Sequence, residues 1–202
     1  MTTELKVLQA IRLKGRIAAA DVVAAVDDDP AAVTETVARL TDSGLVLADK
    51  TVRLSQEGRA RLQELLAAER QAADPRALGA AYDEFRSVNQ DFKELVSDWQ
   101  LRDGRPNTHD DTGYDAAVLQ RLEVVHRRVV PIIAAVAGQL PRLSAYADRL
   151  AAAYAKVLRG ETMWLTRPLI DSYHTVWFEL HEELIGAVGL TREGEARAGH
   201  AE

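Results

Sequence analysis

Arg39-Leu-Thr-Asp-Ser-Gly44-Leu-Val46, followed closely by Thr51-Val-Arg-Leu-Ser-Gln-Glu-Gly-Arg59, decides how the first third of this chain is read. Gly44 stands where a helix should end, because a residue without a Cβ takes the backbone conformation that closes a last turn. Residues 45–48 and 51–54 are short apolar runs on either side of Asp49-Lys50, the pattern of a small hairpin. Ser55, with Gly58 three residues on, opens another helix whose Leu62, Leu65 and Leu66 form a buried stripe.

Upstream, Leu5, Leu8 and Ile11, with Val7 and Arg12 beside them, place an apolar stripe on a first helix that stops at Gly15. Residues 17–26 form a second, alanine-rich helix. Asp27-Asp-Asp-Pro30 supplies a turn and a helix start, and Val33, Val37 and Leu40 face a third helix, 30–43, inward. Three helices, a hairpin and a further helix make a winged helix-turn-helix with a small β-hairpin wing. The phrase Leu54-Ser-Gln-Glu-Gly-Arg-Ala-Arg-Leu62 and this order resemble the MarR-like branch of winged-helix proteins over roughly the first 65 residues. The resemblance implies a DNA-binding transcriptional regulator, its third helix in the major groove and its wing on the backbone or minor groove. On that footing Thr34, Thr36 and Arg39 read bases, and Lys50 and Arg53 hold the backbone.

Charge pulls the other way. The chain has 31 acidic against 25 basic residues, a net charge of -6 and a pI near 5.4. From Asp27 to Leu45 the acids are Asp27, Asp28, Asp29, Glu35 and Asp42, against one base, Arg39. Three aspartates at the start of a recognition helix repel phosphate and occupy the place where a helix N-terminus would favour it. Lys6, Arg12, Lys14 and Arg16 form the best positive cluster, either a backbone-facing edge or the solvated side of the first helix. Two readings therefore stand: a DNA-binding regulator, or a DNA-incompetent winged helix used as a protein-interaction module.

With 47% hydrophobic and 28% charged residues the composition is that of a globular protein. There is no cysteine, hence no disulfide or thiolate chemistry. No secretory signal or spanning run is visible, so a cytoplasmic protein with no membrane partner is expected.

The winged helix is expected over 1–72, a helical bundle over 73–190 and a solvated tail over 191–202. All tryptophans and histidines, and all tyrosines and phenylalanines from Tyr82 on, fall in the later part. Tyr82, Phe85, Val88, Asn89, Phe92, Leu95 and Trp99 lie on one helical stripe. A polar loop follows over 103–113, then a long helix over 114–137 that Pro131 should kink or divide. Leu140-Pro141 opens a helix with Leu143, Tyr146, Leu150, Tyr154 and Val157 inward, ending at Gly160. Pro168 suits the start of the last long helix, which Gly189 closes. With no strand signal after the wing, an all-helical bundle of four or five helices is expected, making the fold mainly α.

The densest chemistry is Asp171-Ser-Tyr-His-Thr-Val-Trp-Phe-Glu-Leu-His-Glu-Glu183, where His174, Phe178 and His181 share a face with Trp177 close by. With His126 from another helix they are candidate ligand-binding residues, or else hydrogen-bonded core residues. Seven residues separate His174 from His181, about 10.5 Å of rise, so no metal is assigned. Arg121, Arg127, Arg128, Arg142, Arg149 and Arg167 either pair with carboxylates such as Asp115, Asp148, Asp171 and Glu179 or recognise a small anionic ligand. The cluster Asn107-Thr-His-Asp-Asp111 lacks a matched nucleophile and base, and no phosphate-binding glycine loop, HExxH or GxSxG motif occurs. No enzyme activity and no cofactor are expected.

Phe92-Lys-x-Leu-x-x-x-Trp99-Gln, Pro141-Arg-Leu-x-x-Tyr146 and Ser172-Tyr-His-Thr-Val-Trp-Phe-Glu-Leu-His181 resemble a helical segment of actinobacterial pyruvate phosphate dikinase-like proteins. That resemblance implies a stand-alone regulatory partner of a phosphoenolpyruvate-utilising enzyme. The enzyme's ATP-binding and phosphohistidine regions are not in this sequence. A homodimer is expected because half-site readers pair.

Overall fold

Three helices, a hairpin and a fourth helix make up the first of two units, Met1–Ala73; the computed structural model describes residues 2–197 and 199. Helix α1 (Thr3–Lys14) turns Leu5, Leu8 and Ile11 inward and ends at Gly15, whose φ of +72° is the left-handed turn a glycine allows. Ile17 is not the first residue of a helix. It lies extended and exchanges backbone hydrogen bonds with Val52, so α2 (Ala19–Ala25) starts later than its alanine run implies. Helix α3 (Pro30–Asp42) begins where the Asp29 carboxylate accepts the N–H of Ala32 at 2.9 Å.

Strands β1 (Val46–Ala48) and β2 (Val52–Leu54) pair antiparallel with Val46 opposite Leu54. Helix α4 (Gln56–Gln71) starts at Ser55, whose hydroxyl accepts the N–H of Gly58 and donates to the carbonyl of Leu45. A Cβ at position 58 would lie 2.0 Å from that same carbonyl oxygen, so glycine is what lets α4 cross the hairpin. Leu8, Ile11, Val22, Val33, Leu40, Val46 and Leu62 fill the core between these elements.

The described residues of the second unit, Asp74–Glu202, are helical with one minute hairpin. Asp74 caps α5 (Pro75–Gln100), and Leu78 and Ala81 extend the apolar stripe ahead of Tyr82. The expectation of no strand after residue 54 fails here. β3 (Leu101–Arg102) and β4 (Arg105–Pro106) pair across Asp103-Gly104, both at positive φ, the pairing of residues that a tight two-residue hairpin turn needs. Arms of two residues carry no alternation to read.

Helix α6 (Thr112–Ala137) continues through Pro131 and is not divided. Proline removes one hydrogen bond, to the carbonyl of Arg127, and both residues lie on the exposed face where water can take its place. Val129, Ile132 and Ile133 hold the other face against the core. A 3-10 turn (Pro141–Ser144) leads into α7 (Ala145–Leu158), followed by the single turn α8 (Met163–Thr166).

Pro168 does not start the last long helix. It belongs to a turn with Leu169, at φ +66°, and α9 (Tyr173–Ala187) begins at Ser172, whose hydroxyl accepts the N–H of Thr175. The tail is also ordered further than expected: Arg192–Arg197 form α10, and Glu195 is buried. Among the described residues no helix is long and apolar enough to cross a membrane.

Candidate functional site

Helices α5 and α9 pack with their aromatic stripes facing, and where the stripes part they leave a cleft of about 130 Å³. His174, Trp177, Phe178 and His181 form one wall, Phe92, Lys93 and Asn89 the other, and Arg192 stands at the edge. The Trp177 indole donates to the Asn89 amide oxygen at 2.9 Å and its ring lies 4.4 Å from that of Phe92, which fixes the cleft's flat floor. Arg192 bonds Glu182 at 2.6 Å and covers the Phe178 ring at 4.3 Å.

His181, at the inner end of that wall, lies 5.2 Å from the Phe85 ring. Burial, reinforced by the Arg192 charge, pushes its pKa down to about 4, so it is neutral at pH 7. Its Nε2 is 3.4 Å from the Tyr82 hydroxyl, which donates to Glu195 at 2.6 Å. Burial and the Glu195 carboxylate push the Tyr82 pKa up. Flat apolar walls with Lys93 on one side, and Arg192 already paired with Glu182 at the edge, suit a planar organic molecule.

The grouping of four ligand residues needs one correction. His174, Trp177 and His181 share the cleft, but His126 does not line it. Its Nδ1 is 3.2 Å from the Tyr173 hydroxyl, its ring stacks on Tyr154 at 4.4 Å, and burial lowers its pKa. The helical period places His174, Trp177 and His181 together, whereas nothing local places His126.

The arginines mostly pair with carboxylates. Arg142 bonds Glu183 at 2.7 Å with both side chains buried, and Arg149 bonds Glu179 at 2.7 Å and Asp171 at 3.0 Å. Arg121 bonds Asp98 and Arg128 bonds Asp91. Asp115 pairs elsewhere: it accepts from Asn107 at 3.0 Å and lies 3.0 Å from His109, whose ring lies tilted against Trp99 at 4.4 Å. This loop network escaped the sequence reading because Asp115 lies a full turn into α6. Among the described residues, the side-chain bonds of His109 run only to Asn107 and Asp115.

In the first unit, the residues expected to meet bases are disposed differently from expectation. Thr36 is buried, so its side chain is off the surface. The Thr34 hydroxyl donates to the carbonyl of Pro30 at 2.8 Å, one turn back on its own helix. Arg39 leans to Glu4 at 3.4 Å, a carboxylate that also holds Arg61 at 2.9 Å. Glu4 is thereby kept below the usual carboxylate pKa, chiefly by Arg61. Lys50 is exposed at the hairpin tip and Arg53 points outward from β2. Lys6 leaves the expected basic cluster and bonds Asp28 at 3.2 Å and the Asp27 carbonyl at 2.6 Å.

The chain matches no family model, no curated protein and no solved structure. Function therefore rests on these sites. Among the described residues no group of three histidine or carboxylate side chains is placed to hold a metal ion.

Proposed function

We propose that this chain is a regulatory protein, without enzyme activity, that works through protein and ligand contacts, its first unit a winged helix of MarR-like pattern that does not read DNA bases. The observation that carries this reading is the outward face of α3. It consists of Ala31, Thr34, Glu35, Ala38, Arg39 and Asp42, two carboxylates against a single guanidinium that is drawn to Glu4. A base-reading helix needs donors and acceptors that reach past its own backbone, and phosphates on either side repel uncompensated carboxylates.

The α5–α9 cleft supports a sensing role for the second unit, with the bound molecule favouring one conformation over another. Leu169 supports a protein partner: it is fully exposed, held at φ +66°, and follows exposed Arg167 and Pro168. A large apolar side chain displayed in that strained backbone is uncommon away from an interface. The resemblance to pyruvate phosphate dikinase-like proteins makes a phosphoenolpyruvate-utilising enzyme the first partner to test.

The second reading is a dimeric DNA-binding regulator in which Lys50 and Arg53 grip the backbone, favoured by the exposure of both. Selection of genomic fragments by the purified protein at low and moderate salt separates the two. No common sequence is expected to be enriched. A sequence that survives moderate salt would replace our proposal with the regulator, and its half-site spacing would report a dimer.

A further inference from the structure

A second groove lies within the first unit, about 170 Å³ in volume, with Ile11, Leu54 and Gly15 beneath and four guanidinium-bearing side chains, Arg12, Arg16, Arg53 and Arg59, around it. We infer that this groove is a phosphate-binding site. It is assembled from the end of α1, the turn after it, the outward side of β2 and the first turn of α4, with no residue from α3.

Routine helix electrostatics accounts for only part of it. Arg12, in the last turn of α1, complements the negative end of that helix. Arg53 is on a strand. Arg59 is in the first turn of α4, where a cation meets the positive end of the helix and is disfavoured unless an anion sits nearby. The chain has an acidic excess, yet among the described residues lining the groove none is acidic.

Two of the four forks are held in place by the protein. Arg59 donates to the carbonyl of Leu54 at 3.1 Å and Arg12 donates to the Gln9 side chain at 3.0 Å. The side chains of Arg16 and Arg53 make no hydrogen bond or ion pair among the described residues and are exposed at the opening. Converging like charges repel, and an oxyanion relieves the repulsion while accepting several charge-assisted hydrogen bonds. The planar fork fits a phosphate better than a halide or a single carboxylate oxygen. The phosphate can belong to a phosphorylated small molecule or to a nucleic-acid backbone, since both present the same oxygens.

The test is titration of the isotope-labelled full chain with inorganic pyrophosphate at constant ionic strength, following backbone amide resonances. Saturable shifts are expected at Gly15, Arg16, Arg53 and Arg59. The double variant Arg16→Gln/Arg53→Gln should weaken binding about tenfold or more, the loss expected for removing hydrogen bonds to a charged group. Unchanged resonances of Val22 and Leu62 will show that it is folded. Arg16→Lys/Arg53→Lys, which keeps the charge and loses the fork, should fall between the two. A random-sequence duplex that displaces pyrophosphate from these amides assigns the site to nucleic-acid backbone, whereas a duplex that does not compete assigns it to a phosphorylated small molecule. Shifts spread equally over Lys6, Arg39 and Lys50, or an affinity unchanged in the double variant, would overturn the inference.

Discussion

Tyr82, His181 and Glu195 show what single side chains contribute. The Tyr82 hydroxyl satisfies a carboxylate that is almost wholly buried, so Tyr82→Phe should destabilise the second unit by about 1–3 kcal/mol, measured by urea unfolding. His181 gives a pH dependence whose sign is fixed by its depressed pKa. Between pH 6.5 and about 4 the unfolded chain binds a proton there that the folded chain does not, so stability is full above pH 6.5 and declines toward pH 4. The loss attributable to this residue is of the order of 3 kcal/mol, and His181→Gln should flatten that part of the profile in urea midpoints across pH 4–7. Of this cluster, His174, Trp177 and His181 were legible in the sequence because one helical period joins them. Glu195 was not, because 113 residues separate it from Tyr82 and its neighbours read as polar.

At the scale of elements, the signals that held were those with a local mechanism. Gly15 and Gly44 ended helices, and Asp29 and Ser55 capped them, because each acts on backbone groups within three residues. Proline misled twice. Pro168 is followed by a turn, and the Ser172 hydroxyl four residues on makes the actual start; Pro131 is tolerated because packing on the buried face outweighs one missing bond on the exposed one. It follows that Pro131→Ala, which restores that bond without touching the core, should stabilise the second unit by about 1–3 kcal/mol. A thermal midpoint lower than the parent's would show that the ring itself packs usefully.

For the whole molecule, the decisive fact is that each unit has its own core, and a unit with its own core can fold by itself. All tryptophans lie in the second unit, so their emission reports that unit alone. Leu40→Ala should cost the first unit about 2–5 kcal/mol, shifting the unfolding of Val22 and Leu62 resonances in urea while leaving the tryptophan transition where it was. The first hairpin was legible from its apolar arms about Asp49-Lys50, whereas the second, with arms of two residues, was not; the pairing of arginines was foreseeable only as a class, since which carboxylate each one meets depends on packing between distant helices. Helix α10 carries a consequence for the protein's lifetime in a cell. A protease that cleaved after Leu190 would in one cut take Arg192 from the cleft and Glu195 from Tyr82, so the clipped protein would lose one edge of the cleft and a buried anchor of its fold together.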